Sequence, residues 1–182
     1  MKFYDAMMDV ECMGMPPTGA LIGIGCCFFD LDTETIGPTF YRSINLATSV
    51  REGGTIDPAT VMFWLTQSDA ARNAVRYNTQ DIRKVLGDFS DWIAETCRHE
   101  DVRMYGNSSG FDCTLVDGAY KRMGMKAPWH FSRERCFRTV RNLYPSVKYD
   151  PAEKGDNAHN ALADAVFQAE HLFRIKNRNR GR

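Results

Sequence analysis

The chain has 182 residues, 43% hydrophobic and 25% charged, with 23 basic side chains against 23 acidic ones. That length suits one domain with a substantial core, and a formal net charge of zero excludes a protein held to nucleic acid by bulk electrostatics alone. The six cysteines form no Cys-x-x-Cys pair and no zinc-like Cys/His spacing, which fits free thiols in a reducing compartment.

The opening Met1-Lys2-Phe3-Tyr4-Asp5 carries no apolar export segment, and no apolar run approaches a membrane span. A cytoplasmic location without membrane association is therefore expected. The neutral total hides local bias: Arg133, Arg135, Arg138 and Arg141 form one basic cluster, and Arg174, Lys176, Arg178, Arg180 and Arg182 form another. We divide the chain into a single domain over 1–175 and a basic tail over 176–182.

Residues 2–10 read as a strand ending at the acidic pair Asp9 and Glu11. Leu21 to Phe29 is an apolar run closed by Asp30-Leu31-Asp32, a buried second strand and turn, and Thr39 to Ile44 alternates as a third. Short connections predict an antiparallel meander. Asp57-Pro58 caps and opens a helix through Phe63, Trp64 and Leu65. Thr79 is the expected cap of the next helix, whose Ile82, Val85, Leu86, Phe89, Trp92 and Ile93 follow the 3.6-residue period. Val102 to Tyr105 reads as a fourth strand, followed by a helix from about Gly110 to Met123 and a short helix over Cys136 to Leu143. A polar loop over Tyr149 to Asn157 leads to a last helix with Leu162, Ala165, Val166, Ala169, Leu172 and Phe173 on one face. Three strands followed by strands mixed with helices predict an α/β fold, a mixed central sheet flanked by helices.

Three sequence pieces carry chemistry. Asp9 and Glu11, two apart on a strand, project to one face, while Met8 and Val10 face the other. Paired carboxylates repel unless a cation lies between them, although a solvated strand end would also tolerate them. Asp112 closes Asn107-Ser108-Ser109-Gly110-Phe111-Asp112, a polar turn directly after a predicted strand, where open sheets place their sites. An acid early in a helix also suits the helix dipole. Asp117 competes for the same role but reads as a solvent-facing helix residue. His159 and Asp164 are five apart, about 140° on a regular helix. They converge only if His159 lies in the loop and Asp164 in the first helical turn. A histidine beside an acid in a polar loop suits a general base. All-oxygen ligands suit Mg²⁺ or Mn²⁺.

Together, Asp-x-Glu, Asn-x-x-x-Phe-Asp and His-x-x-x-x-Asp resemble, in order and spacing, the pattern of the DEDDh exonucleases. Asn160 stands where the tyrosine class of that superfamily carries Tyr. Pro17-Thr18-Gly19-Ala20 and Thr55-Ile56-Asp57-Pro58 leading to Trp64-Leu65 are similar to the phage exonuclease-A and bacterial exoribonuclease-like branch. The resemblance implies a ribonuclease H-like fold and two divalent cations, Mg²⁺ or Mn²⁺, bridged by Asp9 at roughly 3.5–4 Å separation. It further implies Glu11 and Asp164 on the first ion, Asp112 on the second and His159 as base, releasing nucleoside 5′-monophosphates from the 3′ end of single-stranded DNA or RNA. Cys12 departs from the Thr common after the first Glu, which shifts that contact toward backbone and Met13. Relatives include dimers, so a homodimer is an expectation carried by the resemblance alone. Trp64 is the first candidate to stack on a terminal base, although a core role suits it slightly better. Asn107 and Phe111 belong to the motif at the substrate side, and Arg138, three before Arg141 on one helix face, is placed to follow the backbone. A catalytically silent nucleic-acid-binding module on the same fold, or a phosphatase, is the alternative.

Overall fold

A computed structural model describes residues 2–150, 153 and 160–180, with the side chains of 179 and 180 excepted. Its centre is a five-stranded sheet of order β3-β2-β1-β4-β5. The strands are β1 (Asp5–Cys12), β2 (Leu21–Asp30), β3 (Thr35–Ser43), β4 (Arg103–Gly106) and β5 (Glu134–Cys136). The first three form the predicted antiparallel meander, whereas β4 and β5 run parallel to β1. A bidentate Arg103–Asp5 pair, with Nε donating to Oδ1 at 2.7 Å, ties β1 to β4 at the end opposite the acidic pair.

Side-chain alternation along β1 sorts its two faces. Ala6, Met8, Val10 and Cys12 pack against α4 (Ile82–Thr96) and α5 (Asp112–Arg122) through Val85, Leu86, Phe89, Leu115, Val116 and Tyr120. Met7 faces the other way, onto Ala165, Ala169, Leu172 and Phe173 of α7 (Ala161–Arg180) and onto Phe137 of α6 (Phe137–Leu143). Helices on both faces bury the apolar rows, the requirement for a sheet whose β1-β4-β5 side is parallel. The mixed α/β architecture is the one the element pattern predicts.

Four short elements escaped the sequence reading: α1 (Leu46–Arg51), α3 (Asp69–Arg76), a single 3-10 turn over Phe131–Arg133, and β5. Between α1 and α3 lies α2 (Pro58–Thr66), capped as predicted by Asp57, whose Oδ2 accepts the Thr60 N–H at 2.8 Å. Asp81, not Thr79, caps α4: its Oδ1 accepts the Arg83 amide at 2.9 Å. A carboxylate two residues nearer the apolar period reaches the free amides of the first turn, which Thr79 does not. Helix α7 continues to Arg180, so residues 176–180 of the basic segment are helical. Among the described residues no helix is long and apolar enough to cross a membrane.

Candidate active site

The parallel strands β1, β4 and β5 end on one side of the sheet, and the chain leaves each into a loop or helix there. In a sheet of this kind the crevice beyond the carboxyl ends is where ligands sit. A cleft of 680 Å³ occupies this position, lined by Asp9, Glu11, Cys12, Asn107, Phe111, Asp112, Arg138, Tyr149 and Asp164, with α2 as its far wall.

Asp9 and Glu11 share a face of β1, as their spacing requires. Asp164 stands in the first turn of α7, also as predicted. One carboxylate oxygen from each of Asp9, Glu11 and Asp164 lies within 4.8 Å of the others. All three residues are buried, at 8, 8 and 7% exposure. Their convergence depends on Gly25, the partner of Asp9 across the β1–β2 ladder. A Cβ at Gly25 would stand 2.1 Å from the Leu162 nitrogen and 2.2 Å from the Ala161 carbonyl carbon. Without it, the first turn of α7 rests directly on the sheet and delivers Asp164 to Asp9.

Asp112 opens α5 and is 3% exposed. Its Oδ2 accepts the Ser108 amide at 3.0 Å. Gly106, the last residue of β4, makes the room, since a Cβ there would lie 2.9 Å from the Asp112 Cβ. Burial pushes the Asp112 carboxyl up to about 6, outweighing hydrogen bonds from Ser108, its own amide and Val10 and the nearby positive charge of Arg138. Cys12 donates its thiol to the Gly14 carbonyl at 3.1 Å, and burial pushes that thiol up to about 11, so it is neutral and internally engaged. Asp117 is ion-paired with Lys121 on the outside of α5. His159 lies outside the described residues.

The substrate-side residues divide. Asn107, Phe111, Arg138 and Arg141 line the cleft. Trp64 also lines it but is 4% exposed, and its Nε1 donates to the Cys12 carbonyl at 2.9 Å. Met13 packs with Ile22 and Trp64 behind α2, in an adjoining apolar pocket. Among the described residues, Met15 and Phe63 line the cleft in more open positions, at 54 and 44% exposure. Sequence reasoning passed over Met15 and preferred Trp64 to its neighbour Phe63. It also passed over Tyr149, stacked 4.8 Å beneath the Arg141 guanidinium. Burial first, and then the charges of Asp164 and Asp9, push the Tyr149 hydroxyl up to about 12. The last residue missed is Gln168 of α7, 1% exposed, whose Nε2 donates to Asp9 Oδ1 at 2.8 Å. The available signal was its spacing, one turn beyond Asp164.

The sequence matches the family model of the 3'-5' exoribonuclease Rv2179c-like domain over residues 4–175. No curated protein matches. Among solved structures, the chain resembles cell-death related nuclease 4 (CRN-4) at TM-score 0.60 and 13% identity, covering 96% of this chain and 64% of that one. It resembles the zinc ion bound form of the E. coli ExoI–ssDNA complex at TM-score 0.68 and 16% identity, covering 99% of this chain and 42% of that one. It also resembles the nuclease domain of 3'hExo, a DEDDh family member bound to rAMP, at TM-score 0.57 and 14% identity, covering 96 and 93%. These likenesses show a shared ribonuclease H-like exonuclease fold, and the chain spans less than two thirds of CRN-4 and less than half of ExoI. With its match running from the first strand into the last helix, the chain belongs to the Rv2179c-like 3'-5' exoribonuclease domain family.

Proposed function

We propose that the protein is a divalent-metal-dependent exonuclease that removes nucleoside 5′-monophosphates from the 3′ end of single-stranded nucleic acid. The observation that carries this reading is the convergence of Asp9, Glu11 and Asp164 at the floor of the cleft. Two oxygens on opposite sides of an ion, each at about 2.0–2.6 Å, lie ~4–5 Å apart, and the three carboxylates fit that span. The donor set is all oxygen, and the one cysteine at the site is a neutral thiol, so a hard cation suits it better than zinc. Asp9, Glu11 and Asp164 would hold one Mg²⁺ or Mn²⁺, and Asp9 with Asp112 a second. Bound there, such ions supply the positive charge that eases deprotonation of water and stabilises the leaving 3′ oxygen.

The chain's own residues supply the rest. Arg138 and Arg141, on the cleft wall opposite α2, meet the phosphates that the acidic floor repels. Phe63, Met15 and Phe111 offer apolar walls to the last bases of a frayed strand. His159, one residue before Asn160 and two before α7, takes the proton of the attacking water in this reading. The family's description names an exoribonuclease, which favours RNA as the substrate class, while the neighbours carry ssDNA in one case and rAMP in another.

Matched DNA and RNA oligomers labelled at the 5′ end, incubated with Mg²⁺, with Mn²⁺ and with chelator, test the proposal. The expected result is a descending ladder only with metal, faster on RNA. Metal-independent cleavage, or internal cuts in place of a ladder, refutes it.

A further inference from the structure

Beyond the four acids and the histidine, we infer that Gln168 is a positioning residue: it holds the Asp9 carboxylate in the orientation that a cation requires. This inference rests on the metal reading above. Gln168 is one turn from Asp164 on α7, so the two side chains share a face. Across 159 positions of sequence, Nε2 of Gln168 donates to Asp9 Oδ1 at 2.8 Å. Only the NH₂ end of the amide can face a carboxylate, because the carbonyl end would oppose oxygen to oxygen. With one oxygen tethered, rotation of the whole Asp9 carboxylate is fixed.

Two further observations separate this contact from ordinary packing. The donor is neutral. A lysine or arginine would tether Asp9 as well, but its charge would cancel one of the negative charges that attract a cation. The amide fixes geometry and leaves the site's charge intact. The other end of the amide, Oε1, is buried and finds no hydrogen-bond partner among the described residues. A buried orphan acceptor destabilises the fold, and a methionine of the same length would fill the space without it. What the amide adds over a methionine is therefore its hold on Asp9. Outer partners that orient a ligand change metal affinity by about 10–100-fold when removed.

The test uses the full chain with Gln168→Met and Gln168→Leu. Three quantities are read: thermal melting in chelator, Mn²⁺ affinity by calorimetry, and the Mn²⁺ concentration giving half-maximal cleavage of an RNA oligomer. The expected result is melting equal to or above wild type, Mn²⁺ affinity weaker by roughly 10–100-fold, and a cleavage rate that recovers at excess Mn²⁺ with unchanged KM for the oligomer. Wild-type Mn²⁺ affinity in both variants overturns the inference and leaves the metal reading standing. Lowered melting of both variants in chelator also overturns it, because the amide would then be a structural prop. A wild-type protein that binds Mn²⁺ no better than Asp9→Ala overturns the metal reading and this inference together.

Discussion

Asp112→Asn should stabilise the metal-free protein at neutral pH while abolishing its activity. The unfolded Asp112 carboxyl titrates near its ordinary value of 3.8, and the folded one at about 6. The folded protein therefore keeps the proton over a range in which the unfolded chain has released it. Stability falls as pH rises from 4 to 6, and the full penalty persists above that. Two pH units at 1.36 kcal/mol each amount to about 3 kcal/mol. Asparagine fits the same space at the start of α5, can accept the Ser108 amide as the carboxylate does, and carries no charge to desolvate. In a domain of this size about 3 kcal/mol corresponds to roughly 6–12 °C in melting temperature. The assay is thermal melting of wild type and variant in chelator at several pH values. Taking the difference between the two proteins cancels the titration of every other carboxylate. The expected difference is near zero at pH 4, grows through pH 6 and is constant at pH 7–8. A variant that melts with or below wild type at pH 8, or a difference independent of pH, refutes the claim that burial penalises this carboxylate. Added Mn²⁺ should narrow the gap at pH 8, since an ion beside Asp112 offsets its desolvation in the wild type alone.

Three further outcomes are expected. Gly25→Ala sets a methyl group against the backbone of Ala161 and Leu162. It should cost roughly 1–3 kcal/mol or more of stability and weaken Mn²⁺ binding by displacing Asp164; wild-type melting and affinity would show that α7 is not seated through this contact. Phe63→Ala should raise KM for an oligonucleotide about tenfold, the low end of a stacking contribution of roughly 1–3 kcal/mol, with melting unchanged because the ring is 44% exposed; an unaltered KM removes Phe63 from the substrate path. His159→Ala should lower turnover by about 10²–10⁴ with Mn²⁺ affinity retained, and full turnover at neutral pH would end its assignment as the base.

What could be read from the chain was whatever a short-range period encodes. The alternation of β1 put Asp9 and Glu11 on one face and Met8 and Val10 on the other before any tertiary contact was considered, and the sheet preserves it. Asp57-Pro58 marked α2 because capping is local chemistry. Where no period exists, the reading failed. The three residues of β5 form a strand only because β4 lies alongside them, α1 has six residues, too few to establish a period, and the inward face of α3 rests on small residues, Ala71 with Val75, in an otherwise polar segment. Residues Val61 to Leu65 are all apolar, so no direction around α2 is favoured. Neighbours on a helix point about 100° apart, and the sequence could not say that Trp64 turns inward to the Cys12 carbonyl while Phe63 faces the cleft. Gln168 is the limiting case. A glutamine on a helix reads as solvent-facing until a strand 159 positions away places a carboxylate against it.

The zero net charge of the chain acquires a different meaning once the charges have positions. Among the described residues, four acids lie buried at the floor of one cleft, and Arg138 and Arg141 line the same cleft. Without a cation the floor opposes a phosphodiester, and two arginines cannot overcome four carboxylates at close range in a partly desolvated site. Two divalent cations would bring four positive charges against those four carboxylates. The arginines would then decide the sign, and the cleft would turn from repelling to attracting a phosphate backbone. Metal should therefore control binding of the strand as well as its cleavage. An oligonucleotide carrying uncleavable linkages separates the two effects: its affinity should rise sharply on adding Mn²⁺ to the wild type and remain low in Asp9→Ala. Equal affinity with and without Mn²⁺ would mean that surfaces outside the cleft hold the strand.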